Sequence, residues 1–154
     1  MAGFKVLVPY DFKPYEEKAL DLLINAFGNQ KDVKVTLFNA YTPLPEVDMD
    51  ASPELEKMRG PMVSLSEELR RKEEGLKSAK MHLLENGYTE DQVDYVFKRR
   101  DKDLVQEIAE TLLQGHYRVV VLTKRPAKVS RLFSRSVHSR LLSIVKDVIV
   151  CIAT

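Results

Sequence analysis

Short apolar runs that suit buried strands alternate along this chain with segments of helical periodicity. The runs that predict strands are 4–10, 33–40, 92–98, 118–122 and 147–152. The segments that predict helices are 15–27, 64–85, 103–113 and 133–144. Strands joined through helices are expected to lie parallel, with right-handed crossovers. The pattern therefore predicts an α/β fold, in which helices cover both faces of a five-stranded parallel sheet.

Two helix starts and one strand depend on local motifs. Ser64 to Glu67 forms a capping box and predicts that the second helix begins there. Residues 89–92 form another capping box, which favours a helix over 92–98, whereas alternation of Val93, Tyr95 and Phe97 favours a strand. We predict a strand, because the preceding helix then becomes a crossover. Glycines are expected to end three helices, at Gly28, Gly87 and Gly115.

The length and composition fit one domain over residues 1–154. Hydrophobic residues make up 44% and charged residues 31%, as in soluble globular proteins with a core. Residues 41–63 carry four prolines and predict a long excursion, with a turn of helix near 53–58. The first residues lead directly into a strand pattern and lack the layout of a signal peptide, so we expect a cytoplasmic protein without a membrane span.

Positive charge is concentrated near the end of the chain. The net charge is only +1, so the chain as a whole gives no reason to expect nucleic acid. Residues 124–146, however, hold seven Lys or Arg and no Asp or Glu. We call 124–146 the basic segment. It is either a solvated surface or a site for phosphate, an anionic polymer or an acidic protein partner.

The residue types needed for catalysis are scattered. The three histidines, His82, His116 and His138, fall in different predicted elements and have no metal-ligand spacing. Cys151 is the single cysteine, and it is either a small core residue or a reactive thiol. The sequence has neither a nucleophile elbow nor a phosphate-binding Walker loop. We therefore predict no catalytic site, no metal site and no enzymatic activity.

Several segments resemble the universal stress protein family. The resemblance lies in 5–11, 16–20, 35–40, 119–122 and 136–152, and it covers nearly the whole chain in element order. It is weakest over residues 42–92. The resemblance implies a flavodoxin-like or Rossmann-like fold and a cytoplasmic homodimer. It also implies pairing through the last strand, where 147–153 would form an apolar edge.

Many members of that family bind ATP or AMP through a motif of three glycines. The motif reads Gly, two residues, Gly, nine residues, then Gly followed by Ser or Thr. Here Thr123 takes the first position and Pro126, which has no N–H group, takes the second. The final pair falls on Ser136-Val137, or on Arg135-Ser136 if the spacer is shortened by one residue. All three glycines are missing, which predicts the loss of tight ATP binding.

Other residues could still hold a nucleotide or a phosphate. Asp11 follows the first strand, where the family places a carboxylate against adenosine, or it caps the next helix. Ser136 is either a phosphate donor at a helix start or a surface hydroxyl. Arginines of the basic segment could replace backbone donors. The candidate site residues are Asp11, Tyr41, Thr123, Arg125, Arg135, Ser136 and Val137, with ATP or AMP as the possible ligand.

Three functions therefore remain open. The first is a non-enzymatic, dimeric stress-response or regulatory protein that has lost tight ATP binding. The second is a sensor of adenine nucleotides or of another phosphate ligand. The third is an interaction module that uses the basic segment to bind an acidic partner. The missing glycines favour the first function.

Overall fold

In the part of the chain that the structure describes, five parallel strands form one sheet. The computed structural model of the protein describes residues 3–10, 16–42, 59–123 and 137–153. The strands are β1 (Phe4–Pro9), β2 (Val33–Tyr41), β3 (Val93–Arg99), β4 (Val119–Thr123) and β5 (Ile149–Ala153). Their order across the sheet is β3-β2-β1-β4-β5, and all neighbouring pairs are parallel. The predicted parallel α/β sheet is confirmed.

Helices cover both faces of this sheet. They are α1 (Glu17–Leu22), α2 (Arg59–Glu85), α3 (Leu104–Gln114) and α4 (Val137–Ile144). The first face packs against buried residues of α1 and α2, and the second face packs against α3 and α4. Consecutive residues of each strand alternate between the two cores, as Val6 and Leu7 do in β1. No helix among the described residues has both the length and the apolar character needed to cross a membrane.

The predicted start of α2 is wrong. The helix begins at Arg59, so the predicted capping box at Ser64 lies inside it. Pro61 is the third helical residue, where a missing N–H group leaves no helical hydrogen bond unmade. Among the described side chains of α2, Leu65 is exposed and full burial begins at Leu76. The excursion is therefore shorter than predicted, and residues 43–58 lie outside the described part.

The ambiguous segment forms a strand, as predicted. Half of the capping box still forms, because the Thr89 N–H group donates to the Gln92 side-chain oxygen at 3.0 Å. The Gln92 amide nitrogen then donates to the carbonyl oxygens of Gln30 and Val33 at 3.0 and 3.1 Å. These contacts tie the turn to the start of β2, so the motif introduces β3 instead of a helix.

Two other predicted elements differ from the structure in their details, and a third is only partly described. The first helix was predicted over 15–27, but α1 ends at Leu22 and continues as a π-helical turn over Leu23–Phe27. The last strand begins at Ile149 instead of Asp147, because Asp147 has a left-handed backbone with φ of 61°. The last helix is described from Val137 onward, and residues 133–136 of its predicted range lie outside the description.

Helices α2 and α3 end in the same way but with different residues. At the end of α2, Gly87 has a φ of 109°, as predicted for a glycine stop. At the end of α3, Gly115 keeps a right-handed backbone and His116 takes the left-handed position with φ of 56°. Gly115 is needed for another reason, since an added Cβ would lie 2.3 Å from the Tyr117 ring.

Candidate ligand site at the carboxyl edge of the sheet

The neighbouring strands β1 and β4 define the point where the chain reverses its direction across the sheet. After β1 the chain builds outward to β2 and β3, and after β4 it builds outward on the other side to β5. Ligands of open α/β sheets bind at this point, outside the carboxyl ends of the strands. The predicted residues Asp11, Arg125, Arg135 and Ser136 follow β1 or β4 along the chain, and all of them lie outside the described residues.

Thr123 is the last residue of β4, and its side chain is already engaged. Its hydroxyl donates a hydrogen bond of 2.9 Å to the carboxylate of Glu16. Both residues are only 7% exposed. Glu16 directly precedes α1, so the bond joins the start of that helix to the end of β4 across the crevice. A residue of the predicted site is thus brought together with a carboxylate that the sequence analysis did not select.

Tyr41 and Val137, the other two predicted residues, belong to different parts of the edge. Tyr41 is the last residue of β2, and its half-buried ring lies 4.6 Å from the Phe97 ring. β1 separates the strand of Tyr41 from the strand of Thr123. Val137 is the first residue of α4. The structure shows no direct contact between the Tyr41 and Thr123 side chains, both of which it describes.

Asn39 is a second polar residue that the sequence analysis missed. It lies within β2, and its amide nitrogen donates to the Tyr10 carbonyl oxygen at 2.8 Å. Its side-chain oxygen is buried, and no described residue donates a hydrogen bond to it. The only signal in the sequence is a single polar residue near the end of a largely apolar strand.

The carboxyl end of β1 has an acidic environment. Burial raises the pKa of the Tyr10 phenol, and the negative charges of Glu17 and Glu16 raise it further. Tyr10 directly follows the last residue of β1 and packs against the core of the first face. A negatively charged ligand group that approached Tyr10 would meet repulsion from these carboxylates.

Of the basic segment, the structure describes only the part from 137 onward. Within that part, Arg140 of α4 is bound to the Asp103 carboxylate at 2.9 Å. The other oxygen of Asp103 caps α3 by accepting from the Gln106 N–H group at 3.0 Å. Both contacts lower the pKa of Asp103, the backbone contact most. Arg140 therefore serves to join α4 to α3, which leaves it less available to an anionic partner.

Groups that could support catalysis stay apart in the structure. His82 is exposed on α2, and His116 is exposed in the turn after α3. Cys151 is half-buried in β5, and burial raises the pKa of its thiol. Among the described residues, no three His, Cys, Asp or Glu side chains are close enough together to hold a metal ion.

Comparison with known protein families identifies the fold. The sequence profile of the Universal stress protein family matches residues 4–151. This chain belongs to the universal stress protein family. The resemblance stated from its strand and tail segments is confirmed. No sequence among the curated proteins matches the chain closely enough to count as a relative.

Solved structures share this universal stress protein fold. A hypothetical protein whose biochemical function was assigned from its structure has a TM-score of 0.69 and 18% identity, over 99% of this chain and 96% of its own. A universal stress protein in complex with cAMP has a TM-score of 0.65 and 16% identity, and the match covers 100% of this chain and 99% of that protein's chain. The universal stress protein from Archaeoglobus fulgidus in complex with dAMP has a TM-score of 0.61 and 14% identity, and the match covers 100% of both chains. At such identities the comparison shows a shared fold alone.

Proposed function

We propose that this member of the universal stress protein family is a non-enzymatic stress-response or regulatory protein that does not bind ATP tightly. The observation that supports this proposal most directly is the buried hydrogen bond between Thr123 and Glu16. Thr123 occupies the position of the first glycine in the family motif. We further propose that the chain forms one domain and acts in the cytoplasm, as the family resemblance implies.

The contact between Thr123 and Glu16 opposes phosphate binding in two ways. A glycine would leave the backbone bare so that phosphate oxygens could approach it, whereas Thr123 carries a side chain there. The partner of that side chain is a carboxylate, and a negative charge in a low-dielectric site repels a second negative charge strongly. Pro126 adds a third obstacle, because it has no N–H group to donate.

Two measurements on the purified protein test this proposal. Mass spectrometry after denaturation reveals any nucleotide that co-purifies, and isothermal titration calorimetry with ATP and with AMP measures binding. We expect no bound nucleotide and no saturable heat in the micromolar range. Bound nucleotide, or micromolar affinity for ATP, would overturn the proposal and favour a nucleotide sensor.

We also propose a homodimer that pairs along β5, over residues 147–153. In β5, Ile149 is 61% exposed and Ile152 is 45% exposed, although they point to opposite faces of the sheet. β3, the other edge strand, carries the charges of Asp94, Lys98 and Arg99, which discourage pairing of an edge. β5 has no charged residue. The difference favours β5 as the edge that a second copy covers.

Adenine nucleotide sensing is the second candidate function. It is favoured by the solved relatives whose structures contain cAMP and dAMP. In this alternative, the nucleotide is held by Asp11, Tyr41, Thr123, Arg125, Arg135, Ser136 and Val137. Substituting Asp11→Ala would then lower AMP affinity at least tenfold, whereas under the first proposal it changes no function.

An acidic protein partner for the basic segment, residues 124–146, is the third candidate. The Arg140–Asp103 contact argues against this candidate, because it pairs one of the seven cations of the basic segment with a carboxylate of the same chain. A steep fall in binding to polyanions with rising salt would support this candidate. Binding that is insensitive to salt would exclude it.

A further inference from the structure

The strand β3 lies at one end of the sheet, so one of its two sides has no neighbouring strand. β3 has seven residues, four of them apolar or aromatic, whereas β5 has five residues. An unpaired strand of this length and composition is a template on which another chain can add a strand. Proteins commonly block such an edge with charged side chains, prolines or an irregular backbone.

The register of β3 decides which of its backbone groups face the open side. The carbonyl oxygen of Gln92, just before the strand, accepts from the Val35 N–H group. Arg100, just after the strand, donates to the Tyr41 carbonyl oxygen. Gln92 and Arg100 therefore both face β2. Pairing with β2 is continuous along β3, and the backbone groups of successive residues point to opposite sides, so the N–H group of Tyr95 faces the open side.

Asp94 occupies this outward N–H group. One oxygen of its carboxylate accepts from the Tyr95 N–H group at 2.8 Å. A strand added to β3 needs that N–H group as a donor, because the outward residues supply the hydrogen bonds of the new ladder. The carboxylate therefore takes the place of the carbonyl oxygen that an incoming strand would bring. That carbonyl oxygen would also meet a negative charge beside it.

The next two outward residues of β3 lack such a neighbour. Phe97 follows Val96, whose side chain has no polar atom. Arg99 follows Lys98, whose ammonium group can only donate. The sequence thus supplies an acceptor beside the N–H group of Tyr95, and it supplies none in the residue before either of these two.

The edge would otherwise suit a second copy of the same strand. Two β3 strands paired antiparallel about Val96 would set Tyr95 of one copy opposite Phe97 of the other, on both sides of the centre. Tyr95 and Phe97 both belong to the first face and are half-buried, so part of each ring is free for contact. Aromatic residues directly opposite each other stabilise a pair of strands.

We propose that Asp94 closes β3 to a strand from a second copy of this chain, by holding the Tyr95 N–H group that the added strand needs. The hydrogen bond closes the edge, and the charge of the carboxylate alone does not. Asp94 is thereby a specificity-determining residue for assembly, since it leaves β5, which has no charged residue, as the open edge. This last consequence rests on the proposed homodimer, whereas the closure of β3 does not.

Sedimentation velocity at a series of protein concentrations tests this closure. The starting protein is Ile149→Glu, in which a charge opposes pairing along β5. Adding Asp94→Ala should produce self-association at concentrations about tenfold lower than in the starting protein, the effect of one hydrogen bond. Adding Asp94→Asn should change nothing, because the asparagine oxygen still accepts from the Tyr95 N–H group. Asp91→Ala, at an exposed carboxylate in the turn before β3, is the control and should also change nothing.

Two results would overturn the inference. If Asp94→Ala associates no more than the starting protein, Asp94 does not close the edge. If Asp94→Asn associates as strongly as Asp94→Ala, the charge closes the edge and the hydrogen bond does not. A dimer that persists in Ile149→Glu contradicts the proposed pairing along β5 alone, because the closure of β3 is measured as a difference between variants.

Amide hydrogen exchange in the wild type keeps the test decisive if these variants fail to fold. The N–H groups of Tyr95 and Phe97 both face the open side, but the Tyr95 group is bound to Asp94. Exchange followed by NMR, relative to the intrinsic rate of each residue, should be about tenfold slower at Tyr95 than at Phe97. Equal protection of the two residues would overturn the hydrogen bond on which the inference depends.

Discussion

The hydroxyl of Thr123 donates to the carboxylate of Glu16 at 2.9 Å, between the end of β4 and the residue before α1. Both groups are buried, and the hydrogen bond gives the Thr123 hydroxyl an acceptor in that setting. Under the proposed function, this contact occupies the place of the first glycine of the family motif.

Replacing Thr123 with valine should destabilise the protein. Thr123→Val keeps the shape of the side chain but removes one donor to the buried Glu16 carboxylate, so the free energy of unfolding should fall by about 1–3 kcal/mol. Urea denaturation monitored by circular dichroism measures this change. Thr42→Val, at an exposed threonine just after β2, is the control and should change stability little. Unchanged stability in Thr123→Val would mean that the hydrogen bond contributes nothing.

The carboxylate of Glu107 should make stability depend on pH. Its side chain is 3% exposed and contacts Lys98 at 2.8 Å, and its other oxygen accepts from the N–H groups of Asp101 and Lys102. The Lys98 contact contributes most to lowering the pKa of Glu107, and these N–H groups add to it. Because the pKa of Glu107 is lower in the folded state, the ionised carboxylate stabilises the protein fully at pH values above the unfolded pKa of about 4.3. This stabilisation is lost as the pH falls through the folded pKa.

Glu107→Gln should therefore be less stable than the wild type at pH 7, by about 1 kcal/mol. The difference should shrink as the pH falls below about 4, because the wild-type carboxylate then takes up a proton. Urea denaturation at a series of pH values measures it. Glu110→Gln, at an exposed carboxylate paired with Lys102, should have little effect. A difference that stays constant with pH would contradict the assignment.

A charge on β5 should break the proposed dimer. Ile149→Glu places a carboxylate on an apolar residue that is 61% exposed, and burying it in an interface would be costly. Multi-angle light scattering should show a dimeric wild type and a monomeric variant. Leu113→Glu is the matched control, because Leu113 is 57% exposed but lies on α3. A dimer that persists in Ile149→Glu would exclude pairing along β5.

Glycine at position 116 should stabilise the end of α3. His116 has a φ of 56°, a conformation that costs L-residues free energy and that glycine adopts readily. We expect His116→Gly to raise the free energy of unfolding by roughly 0.5–1 kcal/mol. His82→Gly, inside α2, should have the opposite sign, since glycine destabilises a helix interior. Thermal unfolding of both variants provides the comparison, and a destabilised His116→Gly would show that His116 makes contacts worth more than its backbone strain.

The sequence predicted the sheet because the strand pattern is set by residues that must be buried. Val119 and Val121 face one core and Val120 faces the other, so a continuous apolar run can only be a central strand. The start of α2 was less predictable, because Ser64 has the chemistry of a cap but the helix continues past it. The turn over 89–92 also has the residues of a helix cap without starting a helix. Its Gln92 side chain instead donates to the carbonyl oxygens of Gln30 and Val33, which are distant in sequence.

Less of the candidate site could be predicted from the sequence. Thr123 was selected because it falls on the first position of the family motif, and Tyr41 because it follows the second strand; the structure places each as the last residue of a strand. Glu16 was not selected, because its contact with Thr123 joins residues 107 positions apart and leaves no local pattern. Asn39 was missed for a similar reason, since its unpaired oxygen becomes visible only when β1 and β2 are adjacent.

Calorimetric titration of ATP into the wild-type protein and into Thr123→Gly tests the absence of tight ATP binding most directly. The account predicts no saturable heat in the micromolar range for the wild type, and none for Thr123→Gly, in which the Glu16 carboxylate and Pro126 still oppose phosphate. Micromolar binding of ATP by the wild type, which Thr123→Gly leaves unchanged, would contradict it.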